Sequence, residues 1–263
     1  MTTRPMYKNR KEQYPLPIFE DVKEEVIVSL TSYGERIKHI MPTIKSLQEQ
    51  SRRPDRIVVY IANEDKDNVT DELKNAELVE IRYCQDTRSH KKFQGYFDFP
   101  DAYVTTADDD LIYFPEWLKT MLKTSQIDRR AVVANNTFLL EDWEFRRQTS
   151  RKDNSRSLKG ELNMYVMTGA GVLRPPKIDL SLLKYAFNFS PFCDERPLSC
   201  LLRYLNIPVL ATSLHSNALH KESYKLSTGG LWEQHNCKNQ NLRGVESKAF
   251  ITYIKKLDEK LKK

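Results

Sequence analysis

The chain has 263 residues, 42 of them basic and 36 acidic, giving a net charge of +6 and an isoelectric point near 9.0. That length can bury a full α/β core in one domain, and the modest basic excess suits an anionic substrate or anionic membrane surface; nucleic-acid binding is disfavoured because the only dense basic runs are terminal. No window approaches the roughly 18 apolar residues of a membrane span, Met1 to Tyr14 lack the apolar core of a signal peptide, and Cys84, Cys193, Cys200 and Cys237 form neither a C-x-x-C pair nor a disulfide framework, so a soluble or peripheral protein of the reducing cytosol is expected.

Residues 1–24 are charged and carry Pro15 and Pro17, and read as a flexible lead-in. A first strand is expected over 25–30, opening into the polar loop 31–36. Ile37, Ile40, Ile44 and Leu47 then recur at helical spacing up to Gln50, with Pro42 in an early turn. Strands over 56–61 and 79–83 flank a short helix over 71–76. The run 102–106, rich in β-branched and aromatic residues, reads as a fourth, buried strand. This alternation predicts a βαβ series, and so an α/β fold with a mostly parallel central sheet flanked by helices.

Further along, a helix is expected over 115–123 with Pro115 near its first position. Strands follow over 131–134, 164–168 and 207–210, with a helix over 195–204. The highly charged segment 141–160 reads as a surface excursion or acceptor-side loop, and the polar stretch 213–244 as a long functional loop. In the tail, 247–263, Phe250, Ile254 and Leu257 share one face with lysines opposite, which predicts a basic amphipathic helix.

Three carboxylates in a row, Asp108-Asp109-Asp110, close the fourth strand. Adjacent anions repel and cannot be buried cheaply without counter-charge. In open α/β sheets ligands bind outside the carboxyl ends of strands, and carboxylates there suit Mg²⁺ or Mn²⁺, which take one or two of them plus substrate phosphates. The apolar run 111–114 pins this turn against a core, unlike a solvated acidic turn. In the loop after the first strand, Thr31 and Ser32 can hydrogen-bond a base or ribose, Tyr33 can stack, and Arg36 can meet phosphate. Lys92, within 90–93, can reach a diphosphate as a point charge.

Taken in order, these pieces resemble the bacterial glycosyltransferases of type A fold, especially the family-two-like enzymes of polysaccharide assembly. The resembling residues are Ser29 to Tyr33 with Arg36 and Ile37, then Pro42, Ile44, Ser46, Leu47 and Gln50, followed by Pro54 to Val58, Lys91 and Lys92, and Asp108 to Tyr113. Gly169 to Leu173 with Pro175 and Pro176, and Cys193-Asp194-Glu195, complete the match, which runs over about 25–212. The resemblance implies one transferase unit over 25–246, with a nucleotide-binding half (25–113) and an acceptor half (114–246).

It further implies a metal-dependent hexosyltransferase-like enzyme, taking a sugar from a nucleotide-sugar donor, most plausibly UDP-linked, to a hydroxyl of a glycan or lipid-linked acceptor. Mn²⁺ or Mg²⁺ would be held through Asp108 and Asp110, the same-face pair of an extended strand, with Asp109 on the opposite face or on the donor ribose or sugar. A C-terminal histidine, His215 or else His220 or His235, would add a third ligand. The turn Gly169-Ala170-Gly171 would let backbone approach the donor sugar. Asp194 would be the general base, with Glu195 its neighbour or a helix cap at the positive end of the dipole. Trp232 would stack on a sugar or close a lid. Inverting chemistry is expected because a candidate base exists, and a single transfer per encounter because no Gln-x-x-Arg-Trp signature is present. The basic tail could rest on anionic lipid at the inner face of the membrane. Rival readings are a nucleotidyltransferase, weakened by the single glycine in 31–36, a non-catalytic glycan-binding protein, and a polyanion-binding module.

Overall fold

The computed structural model describes residues 18–139, 164–212 and 242–261. Four parallel strands, β1 (Val26–Thr31), β2 (Arg56–Ala62), β3 (Val79–Cys84) and β4 (Tyr103–Asp108), form one half of the main sheet. β5 (Val132–Ala134), β8 (Val172–Arg174) and β9 (Val209–Ala211) extend the same sheet, in the order β3-β2-β1-β4-β8-β5-β9. The two halves expected from sequence therefore share one hydrogen-bonded sheet. A separate antiparallel pair joins β6 (Thr137–Leu139) to β7 (Met164–Val166). The result is an α/β fold with a mixed, mostly parallel sheet, in which β8 runs antiparallel to both β4 and β5.

β1 is buried along nearly its whole length because helices cover both faces, as parallel strands require. Val26, Val28 and Leu30 point into one core with α1 (Met41–Gln48) and α4 (Trp117–Ser125), through Ile44, Leu47, Trp117, Leu118 and Met121. Ile27 points the other way, into a core shared with Phe93, Tyr96, α5 (Glu195–Tyr204) and the C-terminal helix, called α6 here (Leu242–Leu261). The short helices α2 (Asp71–Lys74) and α3 (Gln94–Asp98) cover β3 and β1 respectively.

Chain order fixes where a ligand can enter. From β1 the chain moves outward through β2 and β3, then returns to place β4 on the other side of β1. The crevice between the C-terminal ends of β1 and β4, where Thr31 pairs with Asp108, is the topological switch point. β8 matters as much: running antiparallel beside β4, it brings the loop that precedes it to the same end of the sheet.

Several boundaries differ from expectation for identifiable reasons. The helix expected from Ile37 to Gln50 is split into a 3-10 helix (Gly34–His39) and α1. Pro42 lies in the first turn of α1, and its ring excludes a regular α-helical turn before it. β6 and β8, three residues each like β5, β7 and β9, are strands beyond those expected. α6 begins at Leu242, earlier than the expected 247. Its Phe250, Ile251 and Ile254 are buried against α5 and the 3-10 helix Ser181–Asn188, while Lys255 and Lys256 face outward. The described apolar residues Phe250, Ile251 and Ile254 of this tail are thus used by the protein's own core rather than by a lipid surface. No described helix is long and apolar enough to cross a membrane. Most of the expected lead-in, 1–17, lies outside the described residues, as do most of the charged excursion and of the 213–244 loop; Phe19 and Val22 pack on the core.

Because Phe250 also contacts Phe189, with ring centroids 5.9 Å apart, Phe250→Ala should cost about 3–5 kcal/mol through the cavity it leaves. Urea unfolding checks this: a lower midpoint with an unchanged slope is expected, and an unchanged midpoint would show that α6 contributes nothing to the fold.

Candidate functional site

Lys92 sits at the centre of the switch point. It belongs to a 3-10 helix (Arg88–Phe93) held close over β1: Ser29 donates its hydroxyl to the Lys92 carbonyl at 2.6 Å. Gly95 permits the approach, since a Cβ there would lie 2.6 Å from the Ser29 side chain. The Lys92 side chain is 2 % exposed, and its ammonium reaches Asp108 Oδ1 and Asp194 Oδ2, each at 2.6 Å. Burial alone would lower its pKa, but the two carboxylates outweigh burial and raise it, so the charge is retained.

The acidic triplet is divided between two cations. β4 ends at Asp108, so the alternation expected to pair Asp108 with Asp110 does not extend past the strand. Arg36 does the gathering instead: its Nη2 lies 2.5 Å from Asp109 Oδ1 and 3.0 Å from Asp110 Oδ2. Asp109 also accepts from Ser32 Oγ at 2.5 Å, and Thr43 donates to its carbonyl at 2.8 Å. Asp109 and Ser32, both expected to meet the donor, are therefore spent on locking the turn. Thr31 likewise donates to the Tyr60 carbonyl at 2.7 Å. Tyr33 remains available at 41 % exposure, with the Arg36 guanidinium 5.5 Å from its ring centre. Arg36 Nη1 is buried with no partner, so the guanidinium keeps one donor for a phosphate.

Burial, with the charges of Asp108 and Asp109, pushes the Asp110 carboxyl up to about 6 despite Arg36. The turn thus carries more negative charge than its protein partners neutralise. Among the described residues no three His, Cys, Asp or Glu side chains form a ready metal cluster. Asp108 and Asp110 present carboxylate oxygens of the kind hard divalent cations take, a donor set that water and phosphate oxygens would have to complete. His215, like His220, His235 and Trp232, lies outside the described residues.

The expected glycine turn is present, and the protein itself explains both glycines. A Cβ on Gly169 would fall 2.1 Å from Asp108 Oδ2, so this residue lets the carboxylate sit against backbone. Gly171 has φ +107°, and a Cβ there would meet the Trp117 indole at 2.7 Å. Trp117 Nε1 donates to the Ala170 carbonyl at 2.8 Å. Tyr113 donates to the Gly169 carbonyl at 2.6 Å while accepting the Asp108 N–H at 2.8 Å. Tyr113 was legible only as core; its hydroxyl in fact ties the triplet to the glycine turn.

Asp194 stands at the N-cap of α5 without capping it. Its carboxylate accepts from Lys92 and from Thr168 Oγ1 at 2.9 Å. Burial works to raise its pKa, but the Lys92 charge and the hydrogen bonds from Lys92 and Thr168 hold it below the usual carboxylate range. Glu195 does the opposite: burial, reinforced by the charge of Asp194, pushes it up to about 7, although Tyr165 donates to its Oε2 at 2.7 Å. Thr168 and Tyr165 carried no sequence signal, being ordinary strand-end residues whose partners lie 26 and 30 positions away. His90 is buried, donates from Nε2 to the Ser190 carbonyl at 2.8 Å, and is kept neutral by burial.

A cavity of about 590 Å³ lies at the opposite end of the sheet, beside Arg52, Pro54, Leu78 and Lys119. Arg52 there is already paired with Asp21 and Asp55, and none of the groups above reaches it.

No protein-family model matches the chain, and no curated protein shows significant similarity to it.

Glu195 gives a signed pH dependence. Its folded pKa of about 7 exceeds the ordinary 4.5, so between those values the folded state holds a proton that the unfolded state releases. Stability attributable to Glu195 is therefore lost as pH rises through that window, on the order of 3 kcal/mol. Glu195→Gln should flatten this decline in chemical-denaturation curves taken across the window. Parallel wild-type and variant profiles would contradict the assignment.

Proposed function

We propose that the protein is a metal-dependent glycosyltransferase of type A architecture, using a nucleotide-diphosphate sugar, most plausibly UDP-linked, and a hydroxyl acceptor on a glycan or lipid-linked carrier. The observation that carries this reading is the meeting of three elements at the switch point: the acidic turn after β4, the buried Lys92, and the carboxylate pair opening α5. A solvated acidic turn would not be wired to a second carboxylate pair through a buried ammonium.

In this reading Asp108 and Asp110 would hold Mg²⁺ or Mn²⁺, which would supply positive charge to a diphosphate leaving group. Tyr33 offers an exposed ring to the base, and Arg36 its unpartnered N–H to a phosphate. Lys92 adds fixed positive charge in a site already organised before substrate arrives, where such charge stabilises a developing anion best. The acceptor oxygen bonds to the anomeric carbon as the bond from that carbon to the diphosphate oxygen breaks, and the hydroxyl proton passes to a carboxylate of the pair. That is a single displacement with inversion.

The environments of the two carboxylates separate their roles. Asp194, the expected base, is held ionised by Lys92 and Thr168 and is correspondingly weak as a proton acceptor. Glu195, at about 7, matches a base working near neutral pH, with Asp194 beside it keeping its proton affinity high. The work of the base is therefore better placed on Glu195, with Asp194 setting its field.

Release of nucleoside diphosphate from a panel of nucleotide sugars tests the proposal, since water serves as a slow acceptor. Turnover of one donor with Mn²⁺, abolished by chelator and reduced at least about a hundredfold in Asp110→Ala, is the expected result. No release, together with no thermal shift by any donor, would overturn it in favour of a non-catalytic binding protein.

A further inference from the structure

Two neighbouring side chains beside the site carry polar groups that the fold leaves unanswered. Arg88 Nη1 and Ser89 Oγ are both buried and neither has a hydrogen-bond partner. They open the 3-10 helix that carries Lys92, directly beyond the C-terminal end of β3. The position is built with some effort. Arg88 has φ +54°, a conformation that favours glycine, and Asp86 Oδ1 accepts its backbone N–H at 2.9 Å to hold it there. The guanidinium lies over the Phe192 ring at 4.0 Å, which fixes its plane.

The local charge count leaves Arg88 in surplus. Asp86, which feels the charges of both Lys91 and Arg88, is bound by the buried Lys91 ammonium at 2.5 Å and held below the usual carboxylate range against the effect of burial. The Arg88 guanidinium itself has no ion pair or hydrogen bond to a described residue. A buried guanidinium N–H without an acceptor is costly, and together with the unpaired hydroxyl of the next residue it is donor chemistry that an oxyanion would satisfy.

Phe192 sets the side of the site to which this group belongs. It lies two residues before Asp194, in the turn that His90 ties down through the Ser190 carbonyl. The donor diphosphate already has Arg36, Lys92 and the carboxylate-bound cation. We therefore propose that Arg88 and Ser89, backed by Phe192, form an oxyanion subsite for a phosphate or carboxylate group on the acceptor. The subsite itself stands on the geometry alone; only its assignment to the acceptor rests on the transferase reading.

The full-length protein is titrated with inorganic phosphate and, separately, with acetate, followed by calorimetry or ³¹P line broadening, with and without saturating UDP and Mn²⁺. Saturable phosphate or acetate binding, weakened at least about tenfold in Arg88→Met and measurably in Ser89→Ala, is expected, and it should persist when UDP and Mn²⁺ are bound. The stronger of the two probes identifies the oxyanion. Met keeps the stem over Phe192, and Ser89→Ala supplies a second readout should Arg88→Met fold poorly. Absence of binding, or binding indifferent to both variants, would overturn the subsite. Displacement of the anion by UDP and Mn²⁺ would overturn its assignment to the acceptor. Failure of UDP to bind at all would count against the transferase reading while leaving the subsite to be decided by the variants.

Discussion

A buried ammonium between two carboxylates is the interaction on which the rest of the site depends. Desolvating Lys92 is expensive, and only the paired charges of Asp108 and Asp194 make it tolerable. The consequences run outward in sequence. Lys92 keeps Asp194 ionised; burial, reinforced by that ionised Asp194, keeps a proton on Glu195 up to about neutral pH. On the other side Lys92 fixes Asp108 at the mouth of β4, against a glycine chosen by that contact. Removing the cation would leave the buried Asp194 without its counter-charge beside the half-exposed Asp108, a change of the kind that costs several kcal/mol.

The backbone supplies what the charges need. A wholly parallel sheet would send the chain before β8 to the far end, away from Asp108. Because β8 is antiparallel, the segment Thr168–Gly171 arrives at the C-terminal end of β4, and Thr106 donates to the Thr168 carbonyl at 2.7 Å to hold it. Tyr113 and Trp117, with ring centroids 4.4 Å apart, clamp the turn from the other side. The turn Thr168–Gly171 is therefore held through hydrogen bonds to its backbone carbonyls. Such rigidity is what electrostatic preorganisation requires.

The long, hydrophobic strands β1 to β4 and the helix Glu195–Tyr204 were legible because their periodicity is local and strong. The acidic triplet was legible as a site because three adjacent anions against a core demand an explanation. What stayed hidden was pairing at a distance. Arg36 and Asp109 are 73 positions apart, and nothing in either segment announces that the arginine serves the triplet before it serves a substrate. Tyr113 and Thr168 read as ordinary packing residues for the same reason. The apolar spacing from Ile37 to Leu47 runs on through the break that Pro42 makes, and β8, lying between the turn at Gly171 and Pro175, has no longer apolar run to mark it although it decides which loop meets the site.

The account is tested most directly by calorimetric titration of UDP into the full-length protein, with and without Mn²⁺. If Asp108 and Asp110 await a cation shared with a diphosphate, UDP should bind far more tightly with Mn²⁺ than without it, and Asp110→Asn should erase that difference. UDP affinity indifferent to Mn²⁺ in the wild-type protein, or no UDP binding under either condition, would contradict the claim that this acidic turn is a metal–diphosphate site.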